Sequence, residues 1–432
     1  MFVSDCLDIN EKGHLTIGGC DAVGLAEQFG TPVIVYDEDE IRKTCRAFTR
    51  SINENYDGNG LVLYASKAFS CKEMYRIVNS ENMGVDVVSG GEIYTALSVG
   101  FPAQKIYFHG NNKKRDEIEL AVDGGVGRIV VDNLTELKTL NEIAGEKGKT
   151  VSVMLRIKPG IDAHTHDFIR TGQIDSKFGF ALETGEAIEA VKETFKMKNL
   201  SFVGLHCHIG SQIFDVNPFV LAAKTMMDFI KEVRDETGAS VNELNLGGGF
   251  GIKYVHTDNP TPYYEYMTKV ASAIKKKAAE YSLPVPFVLI EPGRSIVGAA
   301  AVTLYTVGAV KRIPFVRTYI SIDGGMGDNP RYILYGAQYQ IHCANRMNDE
   351  ETMTATVAGK CCESGDLIQE NVNIAPVEPG DIIAVFSTGA YNYSMASNYN
   401  RIPRPPVAMI KDGKARLIIR AETYEDITKN DI

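Results

Sequence analysis

A few short stretches of the 432-residue chain carry residues whose types and spacing could do chemistry. Lys67 closes the apolar run LVLYASKA, with no acid beside it. Most lysines in such a place snorkel to water. A desolvated one loses basicity and can form a Schiff base with a carbonyl. His206 and His208 stand two apart on an expected strand and so share a face. That is open to a metal pair completed by an acid from another strand end, or to a hydrogen-bonded core histidine at 206. The Ile-Gly-Ser-Gln that follows offers amides and the Ser211 hydroxyl to a phosphate. In GGGFG, 247–251, successive N–H groups lie bare of Cβ atoms and can nest an anion; the alternative is a plain tight turn.

Glu291-Pro292-Gly293-Arg294 places an acid and a guanidinium around a fixed turn. This is a structural ion pair, or a carboxylate for a ring nitrogen with an arginine for an anionic substrate. An amine, a phosphate nest and a carboxylate are together what pyridoxal phosphate requires. Cys361 and Cys362 open a Gly/Ser/acid loop, CCESGD, in which at least one thiol is expected to be exposed and able to move a proton. The other cysteines, at 6, 20, 45, 71, 207 and 343, read as structural.

These residues fall at the ends of short apolar runs. Runs of buried-strand type begin at 61, 83, 105, 128, 151, 201, 243 and 287, most of them separated by segments of helical periodicity. Strand–helix alternation over 38–299 matches a (β/α)8 TIM-type barrel, which takes about 250 residues and gathers function at the C-terminal strand ends. A doubly wound sheet is the runner-up, but no Gly-x-Gly-x-x-Gly turn follows the first run. Beyond 300 the pattern turns to strands and turns, and HLTIGG and TPVIVYD near the start read alike. A second, β-sandwich or barrel-like domain is therefore expected from both chain ends, 1–37 and 300–432.

Composition sets the outer bounds. Hydrophobic residues at 44% and charged residues at 23% are ordinary for a globular chain. A net charge of −10, with no basic tract, argues against a nucleic-acid partner. No apolar run reaches the roughly 18 residues of a membrane span, and the start lacks a secretory pattern, so a cytoplasmic home is expected. No Cys-x-x-Cys occurs, and no metal is expected.

The set YASKA, HCHIGSQ, GGGFG, EPGR, CCESGD and GAYNYSMASNYN resembles the diaminopimelate decarboxylases, of the alanine-racemase-like, fold-type III class of pyridoxal-phosphate enzymes. DAHTHDFIRTGQIDSKFGF and the ending KDGKARLIIRAETYED are similar as well, so the likeness spans nearly the whole chain. It implies a homodimer with shared active sites and a small amino-acid substrate. The reaction implied removes the D-centre carboxyl of meso-2,6-diaminopimelate, giving L-lysine, the last step of lysine biosynthesis. The alternative is a same-fold decarboxylase of D-lysine or D-ornithine, arginine or carboxynorspermidine.

By the resemblance, Lys67 carries the cofactor as a Schiff base and His208 stacks on its ring. Ser211, Gly248, Gly249, Glu291, Pro292, Gly293, Arg294 and Tyr391 help hold it, Glu291 at the ring nitrogen. Arg294, Arg331, Tyr335 and Tyr391 bind substrate, Glu363 takes the distal ammonium, and Cys362 is the proton donor, reaching across the dimer interface. In DGGMGDNPRYILY, Gly327 stands where the family often has Asn, while Arg331 and Tyr335 keep their four-residue spacing.

Overall fold

A computed structural model describes residues 2–161 and 175–432. Contacts divide the chain into two compact units. One comprises Thr44–Gly251 and Pro260–Gly293; the other comprises Met1–Lys43, Ile252–Asn259 and Arg294–Ile432.

In the first unit, each of the eight apolar runs forms a strand: Gly60–Ala65, Gly84–Val87, Ile106–Phe108, Arg128–Val131, Val151–Lys158, Leu200–Cys207, Glu243–Asn245 and Phe287–Ile290. They pair in parallel in chain order, and the last pairs with the first, Val288 opposite Gly60, so the barrel closes. Parallel strands covered on the outside bury both faces, which is why these runs are apolar without alternation. The helices between them turn one face inward; Lys72–Ser80 buries Met74, Tyr75, Ile77 and Val78. Several start immediately after a strand because a cap residue is ready there. Ser89 Oγ accepts the Glu92 amide at 3.2 Å, and Asn133 Oδ1 accepts that of Glu136 at 2.9 Å.

The barrel interior is layered. Leu63, Tyr107, Val130, Met154 and Leu289 form an apolar cluster inside it. Two residues further along four of these strands stand His109, Asp132, Arg156 and Glu291. Side chains two apart share a strand face, so the hydrophobic layer continues into a polar one at the C-terminal end. Residues 162–174, most of the segment DAHTHDFIRTGQIDSKFGF, lie outside the described residues.

The second unit is built around the long strand Ala301–Ile313. Its first half pairs antiparallel with Val33–Asp37 and with Ile382–Phe386, and its second half with Arg317–Ile322. The register shifts between Val307 and Ala309, at Gly308, where the strand passes from one set of partners to the other. Val407–Lys411 lies parallel to Val33–Asp37, so both ends of the chain feed one sheet. Asp37 caps the helix that follows: its Oδ1 accepts the amides of Asp39 and Glu40 at 2.8 and 3.1 Å, while the Glu40 carboxylate turns to Lys43 rather than back to the cap.

Among the strands that go beyond the sequence expectation are Ile341–Cys343 and Leu367–Ile374. The second reads LIQENVNI, too polar to announce a strand. Its Gln369 is buried because Oε1 accepts the Tyr339 amide at 2.6 Å. Among the described residues no helix is long and apolar enough to cross a membrane.

Candidate active site

Every barrel strand delivers one polar residue to the C-terminal rim. In order these are Lys67, Asp86, His109, Asp132, Arg156, His206, Asn245 and Glu291. Lys67 sits in the 3-10 turn Ser66–Ala68, directly after the first strand, with its side chain exposed. The loop after the last strand lies against that turn. The Ala65 amide donates to Pro292 O at 3.2 Å, and a Cβ on Gly293 would fall 2.9 Å from Ala65 Cβ. Gly293 thus lets the Glu291–Gly293 loop approach the Lys67 turn.

Glu291 is buried and surrounded by donors. Asn245 Nδ2 donates to its Oε1 at 2.7 Å, His109 Nε2 stands 3.0 Å from Oε1, and His206 Nε2 stands 3.4 Å from Oε2. Burial alone would raise the carboxyl; His109 and His206 outweigh it and hold Glu291 well below the ordinary carboxylate range. Asp86, 3.8 Å from His109, is pushed the other way by burial, with the Glu291 charge adding to the push. The rim therefore contains one acid kept ionised and one kept toward its neutral form, an arrangement typical of acid–base sites. Burial lowers His206 to about 4, so its imidazole is neutral at ordinary pH. The ligand atoms of His109, His206 and Glu291 lie within 4.8 Å of one another, close enough for a cation, but each imidazole already turns its Nε2 on the carboxylate.

The two histidines expected on one face part company. The strand ends at Cys207, so His206 points to Glu291 while His208 lies beyond the strand. His208 Nδ1 accepts the Gly248 amide at 3.2 Å, and burial, followed by the Lys67 charge, keeps its ring well below its usual pKa and uncharged. The glycines serve close packing first: a Cβ on Gly248 would sit 2.1 Å from Glu291 O, and one on Gly249 would sit 2.4 Å from Gly210 O. The Gly247 amide is bound to Asn245 Oδ1 at 2.9 Å. The Gly249 N–H has no partner among the described residues.

Pyridoxal phosphate fits this rim. It needs an amine, an anion for its ring nitrogen and donors for its phosphate, which Lys67, Glu291 and the Gly249 amide would supply. Among the described residues Asp86 Oδ1, Asp132 Oδ1 and His206 Nδ1 are buried without a hydrogen-bond partner, which suits a polar ligand and not an apolar one.

In the second unit Arg294 and Arg331 are both buried and meet at one phenol. Tyr254 OH lies 2.6 Å from Arg294 Nη1 and 3.1 Å from Arg331 Nη1. Arg331 Nη1 also reaches Tyr339 OH at 3.2 Å, and Arg294 lies over the Tyr391 ring at 4.7 Å. Tyr335 is half-buried at the end of the helix Arg331–Tyr335, one turn from Arg331.

Cys362 and Glu363 stand exposed in a loop tied by Asp366. The Asp366 carboxylate accepts the Met326 and Cys361 amides, each at 2.6 Å, and the Cys362 amide donates to Asn400 Oδ1 at 2.8 Å. Burial pushes the Cys361 thiol up to about 11. Tyr399 OH stands 3.4 Å from Glu363 Oε2.

Sequence reasoning named Lys67, His208, Glu291 and Arg294 as candidates, with Arg331 added by the resemblance. It missed Asp86, Asp132, Asn245, Tyr254 and Tyr339. The signal for the first three was a lone polar residue at the end of an apolar run.

Three comparisons bear on this chain. Residues 38–298 match the pyridoxal-binding domain of pyridoxal-dependent decarboxylases. The chain is 48% identical over 435 residues to diaminopimelate decarboxylase of Bacillus subtilis, covering 100% of this chain and 98% of that one. It is equally 48% identical to diaminopimelate decarboxylase of Halalkalibacterium halodurans, with 100% and 98% covered. Among solved structures it is similar to diaminopimelate decarboxylase from M. jannaschii in complex with L-lysine, at a TM-score of 0.91 and 36% identity, covering 100% and 99%. It is also similar to that from Helicobacter pylori complexed with L-lysine, at 0.85 and 32%, covering 94% and 98%.

Proposed function

Because the chain belongs to the diaminopimelate decarboxylase family of pyridoxal-dependent decarboxylases, we propose that the barrel rim holds the cofactor and that the arginine–tyrosine cluster and the Cys362 loop serve the substrate. The chain is a pyridoxal-phosphate-dependent carboxy-lyase that converts meso-2,6-diaminopimelate to L-lysine and carbon dioxide, the last step of lysine biosynthesis.

When bound, pyridoxal phosphate supplies an electron sink for the pair left behind by carbon dioxide. Lys67 would hold it through its side-chain amine. Glu291, kept ionised with His109, His206 and Asn245 around it, would hold the proton of the ring nitrogen in place. His208 offers an uncharged ring for stacking. Ser211, the Gly249 amide, the Pro292–Arg294 turn and Tyr391 hold the remainder, and Gly248 allows the close backbone approach.

Arg294, Arg331, Tyr335 and Tyr391 bind the substrate, the arginines at its carboxylate, and Glu363 takes the distal ammonium. The Cys362 thiol delivers the proton that replaces the departing carboxyl, from the second copy of a homodimer. Residues 38–299 act as the cofactor domain, and 1–37 with 300–432 as the β domain, in a cytoplasmic enzyme.

The observation that carries this reading is a buried Glu291, ringed by Asn245, His109 and His206, on the same rim as Lys67. The test is carbon dioxide release from meso-diaminopimelate against D-lysine, D-ornithine, arginine and carboxynorspermidine. Turnover of the diacid about 10²-fold or more above the others is expected, because a site built for a second carboxylate leaves polar groups unpaired without it. Release from one of the others and none from the diacid overturns the substrate assignment.

A further inference from the structure

We propose that Tyr254 is a substrate-binding residue: its hydroxyl donates a hydrogen bond to the carboxylate held by Arg294 and Arg331. The inference rests on the reading that those two arginines take a substrate carboxylate.

The argument is an inventory of donors. Tyr254 OH stands 2.6 Å from Arg294 Nη1 and 3.1 Å from Arg331 Nη1. A guanidinium only donates, so both bonds use the lone pairs of the phenol oxygen. The hydroxyl proton has no acceptor among the described residues, and the side chain is buried. A buried donor without an acceptor is costly, and the flanking guanidiniums select an anion to relieve it. A carboxylate has acceptor sites for two guanidiniums and a hydroxyl at once.

The phenol oxygen is also fixed in advance. The Tyr254 ring stacks edge-on against Tyr339 with centroids 5.8 Å apart, and Arg331 lies 5.1 Å over it. Its own amide and that of Val255 are tied to Asp258 Oδ2 at 2.9 and 3.1 Å. Burial would raise the phenol, but Arg294 and Arg331 outweigh it and draw it below the ordinary tyrosine value. A more acidic hydroxyl is the stronger donor.

The reaction leaves one carboxylate of the diacid in place. L-lysine keeps it, and cadaverine is the same molecule without it. Competition binding of both to the holoenzyme therefore isolates this group. In the unmodified enzyme L-lysine should bind more tightly than cadaverine. Tyr254→Phe, which keeps the ring, should weaken L-lysine about tenfold and leave cadaverine and pyridoxal phosphate affinity within twofold.

An unmodified enzyme with no preference for L-lysine overturns the arginine reading and this inference with it. A preference that Tyr254→Phe retains overturns the Tyr254 assignment alone. A loss of pyridoxal phosphate affinity in place of L-lysine affinity shows that the anion is the cofactor phosphate and also overturns it. Should the variant fold poorly, ultraviolet difference spectra of the unmodified holoenzyme decide, since the chain has no tryptophan. L-lysine should perturb a tyrosine band that cadaverine leaves alone, and equal spectra overturn the proposal.

Discussion

His109 Nε2 and Glu291 Oε1 meet at 3.0 Å inside the barrel rim, with both side chains buried. Neither the strand Ile106–Phe108 nor Phe287–Ile290 pairs with the other; the contact forms across the barrel, from residues that follow each strand. It keeps charged an acid that burial would otherwise neutralise. A charge set in advance against a ring nitrogen costs no reorganisation when electrons arrive there.

Glu291→Gln preserves size and removes that charge. Loss of one preorganised electrostatic group at a reacting centre costs about 10²–10³-fold in rate. We expect kcat for meso-diaminopimelate to fall by that order while pyridoxal phosphate stays bound through Lys67. Steady-state rates and the cofactor's visible absorbance check both halves. A variant that keeps full kcat refutes the role of the carboxylate.

Gly248→Ala tests the backbone approach. The added Cβ would sit 2.1 Å from Glu291 O, a distance no carbon and oxygen tolerate, so the strand-end loops must separate. Overpacking of this kind costs about 1–3 kcal/mol. The Gly248 amide also holds His208 Nδ1, so displacement reaches the ring proposed to stack on the cofactor. A lower urea midpoint and weaker pyridoxal phosphate retention are expected together. Unchanged values of both would mean that the loops yield freely.

The legibility of the sequence follows from the range of the interactions. Each barrel strand is local, a short apolar run between turn signals, and all eight were readable. Lys67 and Glu291 were readable because they end such runs beside small or turn-forming residues. Asp86 was not, because a single acid within MGVDVVS matches no local motif; its meaning comes from His109, which belongs to the next strand. Tyr254 and Tyr339 were invisible for the same reason, as they stand 85 positions apart and meet only through packing. The strand Leu367–Ile374 hid behind Gln369, whose polarity is satisfied by a backbone amide that no local pattern reveals.

Asp366→Asn tests the Cys362 loop. The carboxylate accepts two amides at 2.6 Å, and an amide side chain can accept only through its one oxygen, placing an NH2 against the other N–H. Loss of a hydrogen bond to a charged, buried group costs about 1.5–3 kcal/mol. A misplaced catalytic group can cost up to about 10²-fold in rate. We expect kcat to fall more than pyridoxal phosphate affinity does, since Asp366 organises the thiol's loop and not the barrel rim. Equal loss of both would place Asp366 in general stability alone.

Asp328 gives the enzyme a pH signature independent of catalysis. Its carboxyl is buried against Tyr305 OH and the Gly325 amide, and burial pushes it up to about 7 from 3.8, with Asp366 and Asp323 adding to the rise. The unfolded chain releases this proton near pH 4, whereas the folded chain keeps it until about pH 7. The native state thus binds more protons across that window, and its stability falls as pH rises through it. Below pH 4 both states are protonated and the contribution is full; above about pH 7 the loss is complete, on the order of a few kcal/mol. Asp328→Asn keeps an acceptor for Tyr305 and has nothing to titrate. Urea midpoints measured from pH 5 to 8 should decline for the unmodified chain and run flatter for the variant, so the gap between them narrows or inverts at high pH. A gap that stays constant would show that Asp328 is ionised in the folded protein throughout.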